Sequence, residues 1–242
     1  YYSSYSNKIN SSFYNDLLIS GIGYKNPWFH FQIGRDKESW GAGNDIKIAL
    51  SSFSRPYDYI MLGSNYGRIR VKYIHAFLEK FNQKNRYLNA RGIEWSNNKN
   101  CLLGISEIVV YSGEDRNFDI GYLNPMSTHL EIDSNNRSTF LNGKYANAVW
   151  QFSSELMIKN KIRFSFNLLY DEFILDKIQK FEGKENGRAL SGKIDYKIRD
   201  NLKVFSHIIW IGTPTFRHII GANNFIQKGI PLGSSIGSDG DE

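Results

Sequence analysis

Two neighbouring segments keep the same side-chain parity across a turn, and this constrains the fold more than any other feature. Ala146, Ala148, Trp150, Phe152, Leu156 and Ile158 are apolar or small, whereas Tyr145, Asn147, Gln151, Ser153, Glu155 and Lys159 stand between them. After Lys159-Asn160-Lys161 the pattern resumes with Ile162, Phe164, Phe166, Leu168 and Tyr170 set against Arg163, Ser165, Asn167 and Asp171. Side chains of a strand alternate faces with period two, so each segment has one apolar and one polar face. A turn that pairs Ile158 with Ile162 sets Leu156 opposite Phe164 and Glu155 opposite Ser165, and the apolar faces then coincide. The pattern predicts a long antiparallel hairpin.

The design recurs downstream. Leu190, Ile194, Tyr196 and Ile198 alternate with Ser191, Lys193, Asp195 and Lys197; Arg199-Asp200-Asn201 makes the turn; Leu202, Val204, Ile208 and Trp210 continue the apolar face. Alternating strands of about 9–11 residues or more, joined by short turns and carrying aromatics near their ends, mark a transmembrane β-barrel. Strands of a soluble sandwich run to about 5–6 residues. The expected fold is therefore all-β: an antiparallel transmembrane β-barrel of outer-membrane type. About eleven or twelve strands are expected, with the even-numbered apolar residues of 146–170 and 190–210 facing lipid. Arginine at Phe164 or Ile194 is then expected to be costly, and arginine at Ser165 mild.

Composition permits this reading. Aromatics make up 15% and charged residues 22% of the chain. No stretch approaches the roughly 18 consecutive apolar residues of a spanning helix, but a closed barrel satisfies its backbone in lipid without one. The single Cys101 excludes an internal disulfide framework and a cysteine metal cluster. The chain begins Tyr1-Tyr2-Ser3-Ser4 without an initiator Met or export signal, and it stops in the polar tail Ser238–Glu242. Both ends read as cut, so residues 1–242 are expected to form a single domain that is one incomplete piece of a larger barrel.

Candidate strands fall near 15–24, 28–35, 45–52, 57–63, 67–81, 86–95, 101–111, 145–158, 162–174, 188–198 and 202–213. In an up-and-down meander, alternate connections lie at the same end. One end receives short breaks at 64–66, 97–100, 159–161 and 199–201. The other receives 82–86, the long 112–144 segment, 175–187 and the tail after Trp210. Only the break at 36–44, which falls at the short-turn end, is out of place. The 112–144 segment is too long for a plain connection and is expected to act as a long loop or plug, folded onto or into the barrel. It contains Tyr122-Leu123-Asn124-Pro125 and the charged run Glu114-Asp115-Arg116.

The chain carries little that points to chemistry. Trp40-Gly41-Ala42-Gly43 is glycine-rich, but without a surrounding βαβ unit it reads as a tight turn around a packed Trp rather than a phosphate cradle. Arg68, Arg70 and Lys72 form a basic ladder opposite Ile69, Val71 and Tyr73, and the ladder points into the lumen if the apolar face meets lipid. Arg91, Glu94, Glu107, Asp171 and Glu172 are charges embedded in strand-like runs, either paired across the lumen or available to a saccharide. The five His residues have no metal-ligand spacing. There is no nucleophile elbow and no recognition module for nucleic acid. No catalytic residue, metal site or cofactor is expected. The one enzymatic reading, a hydrolase or lyase, would pair Glu94 with Glu107 or Asp171 with Glu172.

Several short blocks, in order, resemble the Wzi-type capsule-assembly family of outer-membrane proteins. They are Ile33-Gly34-Arg35 with Ser39-Trp40-Gly41-Ala42-Gly43, Leu50-Ser51-Ser52 with Arg55-Pro56-Tyr57-Asp58, and Arg91-Gly92-Ile93-Glu94-Trp95. Gly104 to Tyr111, Tyr122-Leu123-Asn124-Pro125, Asp171-Glu172-Phe173 and Pro231 to Gly237 follow. The departures from the family pattern are Ala42 in place of a Pro, and Arg91 and Gly92 in place of His and Arg. The resemblance implies a non-enzymatic, lectin-like protein of the bacterial outer membrane that binds and organises capsular or secreted polysaccharide at the cell surface. Its partners would be that polymer and outer-membrane lipid. The residues expected to hold the polymer are Arg68, Arg70, Lys72, Arg91, Glu94, Trp95, Glu107, Tyr111 and Tyr122, the rings by stacking on sugar faces and the basic groups by meeting acidic units. The alternative is a pore for small or anionic solutes lined by the same ladder. The 112–144 segment is expected to carry the outward functional surface.

Overall fold

The computed structural model describes residues 4–9, 12–17, 19–113, 119–124, 126–134, 146–171 and 187–234. Strands β1 (Ser4–Ile9) and β2 (Ser12–Leu17) pair as a separate hairpin. The main sheet runs in sequence order through β3 (Ser20–Lys25), β4 (Phe29–Asp36), β5 (Tyr57–Tyr66), β6 (Ile69–Phe77) and β7 (Asn85–Ser96). It continues through β8 (Cys101–Gly113), β9 (Ala146–Ile158), β10 (Ile162–Asp171), β11 (Gly187–Arg199) and β12 (Leu202–Ile211). Every neighbour in it is antiparallel. One short helix, α1 (His129–Ser134), and two two-residue strands, β13 (Ile226–Gln227) and β14 (Ile230–Pro231), complete the described elements apart from short 3-10 turns. Ten strands thus share one sheet, where sequence reading expects eleven or twelve.

The hairpin registers follow parity. Ile158 pairs with Ile162, Leu156 with Phe164 and Glu155 with Ser165. Lys159 and Asn160 turn the chain with φ of 49° and 53°. Two consecutive positive φ values give a turn whose twist matches that of the flanking strands, which keeps both apolar faces together. In the second hairpin Ile194 pairs with Ser206 and Leu190 with Trp210, and a register shift between Lys197 and Arg199 absorbs one residue. Strands β8, β9 and β11 are each 13 residues long, more than twice the roughly 5–6 of an average strand.

The two faces of the sheet differ in kind. The outer face exposes Ile22, Ile33, Ile105, Phe164, Ile194, Val204 and Ile208. Trp28, Tyr66 and Trp95 stand beside the short turns, and Trp150 paired with Tyr170 stands toward the opposite end. Contiguous apolar exposure on this scale marks a surface that meets lipid or a partner, and an apolar band between aromatic ends is the outer wall of an outer-membrane barrel. The inner face carries Arg70, Lys72, Ser106, Gln151, Asn167, Ser191 and Lys193, all at inward positions of β6–β11.

The candidate strand at 45–52 is not a strand. Residues 37–56 form one connection from β4 to β5, crossed by a single bridge between Trp40 and Leu50. Ile46, Ile48, Ala49 and Leu50 are all fully buried. Their alternation comes from an extended segment buried against the inner face, not from a ladder. This correction removes the one misplaced break. The connections at 26–28, 67–68, 97–100, 159–161 and 200–201 now share one end, while 37–56, 78–84, 114–145, 172–186 and the chain after β12 share the other.

Two long-end segments, 37–56 and 212–234, fold inward and fill the concave face. Trp40, Ile48, Leu50, Phe216, Phe225 and Leu232 pack with the inner-face residues Tyr59, Met61, Ile74, Leu88, Ile108, Val149 and Leu169 in one core. Polar inner-face residues bind the backbone of these segments, as buried groups without water must. Asn167 accepts from Ala42 N at 2.7 Å and donates to Ala42 O at 3.0 Å. Glu155 accepts from Gly43 N at 2.8 Å, and Ser191 donates to Ile46 O at 2.6 Å. Asp171 accepts from Phe216 N, and Ser112 donates to Asn223 at 2.6 Å. The two segments also bind each other, Ser234 N to Ile48 O at 3.0 Å and Ser51 N to Leu232 O at 2.9 Å. Ser165 is buried beneath Gly43, so arginine there is not mild: the inner face at this level is core, not water.

Lys193 also anchors the 37–56 segment, donating to Asp45 at 2.6 Å and holding that carboxyl below its usual range. A depressed carboxylate contributes stability that is complete above the ordinary value of 3.8 and is lost as pH falls through the folded value. Protease access to 37–56 is therefore expected to rise only below about pH 4. Asp45→Asn should show the raised access already at neutral pH. An unchanged cleavage rate in the variant would remove this anchor.

Candidate functional site

The inner face borders an open chamber of about 480 Å³ between the 37–56 segment and the short-turn end of β4–β9. Strand alternation brings its charged lining together. Lys25 and His30 come from β3 and β4, Arg70 and Lys72 from β6, and Glu94 from β7, all at inner-face positions. Trp40 and Lys47 enter from the inward segment. Trp40 is seated where β7 has no side chain, since a Cβ on Gly92 would stand 3.0 Å from the indole. Gly41 turns the chain there with φ +106°, a conformation open to glycine. This Trp-Gly pair is a turn around a packed ring.

The chamber is electropositive. Lys72 pairs with Glu38 at 2.7 Å and lies 5.4 Å from the Trp40 ring centre. Arg70 pairs with Glu94 at 3.3 Å. Lys47 donates to Gly41 O, and burial lowers its pKa. Among the described residues, neither Lys47 nor Lys25 has a carboxylate within ion-pair distance. Four cations thus face three carboxylates, Glu38, Glu94 and Glu155, with an indole beside them. Such a surface can take an acidic group.

The nine residues expected to hold polymer do not form one site. Arg70, Lys72 and Glu94 meet in the chamber. Arg68 sits in the β5–β6 turn and Trp95 on the outer face beside the short turns. Arg91, Glu107 and Tyr111 lie on the outer face at its long-loop half, buried beneath residues 119–124 and 126–132, and Tyr122 is part of that cover. There Arg91 donates to Glu107 at 2.8 Å and to Asn124 O at 3.1 Å, and Glu107 accepts from His129 N at 3.0 Å. Tyr122 stacks on Tyr111 at 4.5 Å, and its carbonyl accepts from Tyr73 at 2.7 Å and Asn89 at 3.0 Å. These four residues fix the described part of 112–144 to the outside of the wall, and none of their rings is open. The Glu114-Asp115-Arg116 run lies outside the described residues. Glu94 and Glu107 stand on opposite faces of the sheet and cannot flank one glycosidic bond. Asp171 is bound to the backbone of Phe216, and Glu172 lies outside the described residues.

Sequence reading missed Lys25 and Lys47 as chamber residues. Lys47 alternates with Ile46 and Ile48, which is the pattern of an ordinary strand, so nothing local marks it as inward-facing in a lumen.

No protein-family model matches the chain, and no curated protein matches it. Among solved structures, the crystal structure of Pseudomonas aeruginosa OpdQ aligns with 86% of this chain and 68% of its own length, at 9% identity and a TM-score of 0.28. A likeness that slight carries no argument about function, which rests on the geometry of the chain itself.

Proposed function

We propose that this chain belongs to an outer-membrane protein that binds and organises an acidic polysaccharide without turning it over. The observation that carries this reading is the chamber: an electropositive space on the inner face, beside the inward 37–56 segment. Its volume of about 480 Å³ is within the ~300–1,000 Å³ of small-molecule sites, room for a saccharide unit rather than a wide water channel. The ordered blocks resembling the Wzi-type capsule-assembly family point the same way. A second reading, a pore for small anionic solutes, is favoured by the chamber reaching the short-turn end at Lys25 to His30.

Retention of the intact protein on immobilised polygalacturonate, with dextran as the neutral control, tests the first reading. Lys47→Ala and Lys72→Ala are each expected to weaken retention about tenfold, the size of one lost hydrogen bond to a charged group. Steady current across a planar bilayer is expected to be absent. Absent retention, together with an anion-selective current that the same variants reduce, would overturn the binding reading in favour of the pore.

A further inference from the structure

The outer wall carries a feature that the chamber does not explain. Where residues 119–124 and 126–132 end their cover of β6–β9, a groove of about 120 Å³ opens between Met126 and the wall. Its sides are Val71, Ile93, Ile105 and Trp150, all on the apolar outer face. Arg91 stands at its floor, only 6% exposed. Two of its nitrogens are occupied, Nε by Glu107 and Nη1 by Asn124 O, while Nη2 is buried with no acceptor among the described residues. A buried guanidinium donor left unsatisfied is costly, and hydrocarbon outside the wall offers no water to satisfy it. Met126, 72% exposed, is an unbranched and adaptable lip that can move to admit a chain.

We infer that this groove is a binding site for one acyl chain of a membrane lipid, with an oxygen at the head of that chain accepting from Arg91. The position selects the occupant. The groove faces the bilayer, its sides are apolar, and the unpartnered nitrogen of Arg91 at its floor is a donor. Because the Arg91 charge is already balanced by Glu107, the acceptor can be an ester carbonyl or a phosphate oxygen. This site lies on the opposite face of the sheet from the chamber and is independent of what the chamber holds.

The test is native mass spectrometry of the intact protein in mild detergent, with phosphatidylglycerol, diacylglycerol or inorganic phosphate added. The wild type is expected to retain one phosphatidylglycerol through activation that strips bulk detergent, and not to retain inorganic phosphate. Comparable retention of diacylglycerol identifies the ester oxygen as the acceptor, and a preference for phosphatidylglycerol identifies the phosphate; both support the site. Ile105→Trp fills the groove without touching the ion pair and should lower retention about tenfold, as should Arg91→Lys, which keeps the charge but loses the forked donors. Undiminished retention by a folded Ile105→Trp protein, or equal retention of inorganic phosphate, overturns the inference. Should Arg91→Lys fail to fold, Ile105→Trp and Met126→Trp carry the test between them.

Discussion

Arg86→Met is expected to destabilise the folded wall by about 3–5 kcal/mol, the usual result of removing one member of a buried, hydrogen-bonded charged set. The Arg86 side chain is fully enclosed at the long-loop end of β7. It donates to the carbonyls of Ala222, Asn224 at 2.8 Å and Ile226 at 2.9 Å, and it lies 3.7 Å from Glu79. Methionine fills much of the volume but leaves the carbonyls of Ala222 and Ile226 without donors in the core, while Asn224 O keeps only Ile226 N, so the 212–234 segment should detach before the sheet unfolds. Two measurements follow the effect: the temperature at which the heat-modified gel band appears, and protease cleavage within 212–234. Glu79→Gln should be mild, because that partner is partly exposed and the amide keeps an acceptor. A variant Arg86→Met with the wild-type transition and cleavage pattern would show that the inward segment is held by its apolar residues alone.

Phe164→Arg is expected to cost about 2–4 kcal/mol in the membrane, and Ile194→Arg a similar amount. The two residues are direct cross-strand partners on the outer face, so both report the same patch of lipid. The control is Phe205→Arg, an equally large change on the inner face of the edge strand β12, where the side chain is 57% exposed beside Lys193. That variant should fold with little loss. Stability in lipid vesicles by denaturant titration separates the two faces. Equal costs at positions 164 and 205 would mean that the outer face does not meet hydrocarbon.

The wall was legible residue by residue. The parity of Ala146 to Tyr170 set the β9–β10 register, because a slip of one residue would send Leu156 and Phe164 to the inner face. The same argument placed Arg70 and Lys72 inside and Ile69 and Val71 outside. Where alternation misled, it did so for a physical reason. Ile46, Ile48 and Leu50 alternate as strand residues do, yet they lie in an extended segment buried against a sheet. Period-two patterning reports extended backbone with unequal faces, and a strand partner is only one way to provide them.

The sequence by itself determined what a local period can determine: an all-β chain, the apolar side of the strands that alternate clearly, the two parity-matched hairpins and the end that collects the long connections. Tertiary structure decided what those long connections do. It turned 37–56 and 212–234 inward and laid 119–124 and 126–132 on the outside. In doing so it placed Arg91 and Glu107 under protein cover, and it set Lys47 beside Arg70 and Lys72 in the chamber. A strand face depends on neighbours two residues away, whereas the fate of a loop depends on partners such as Asn167, which is 125 residues from Ala42. No local pattern encodes a contact at that separation.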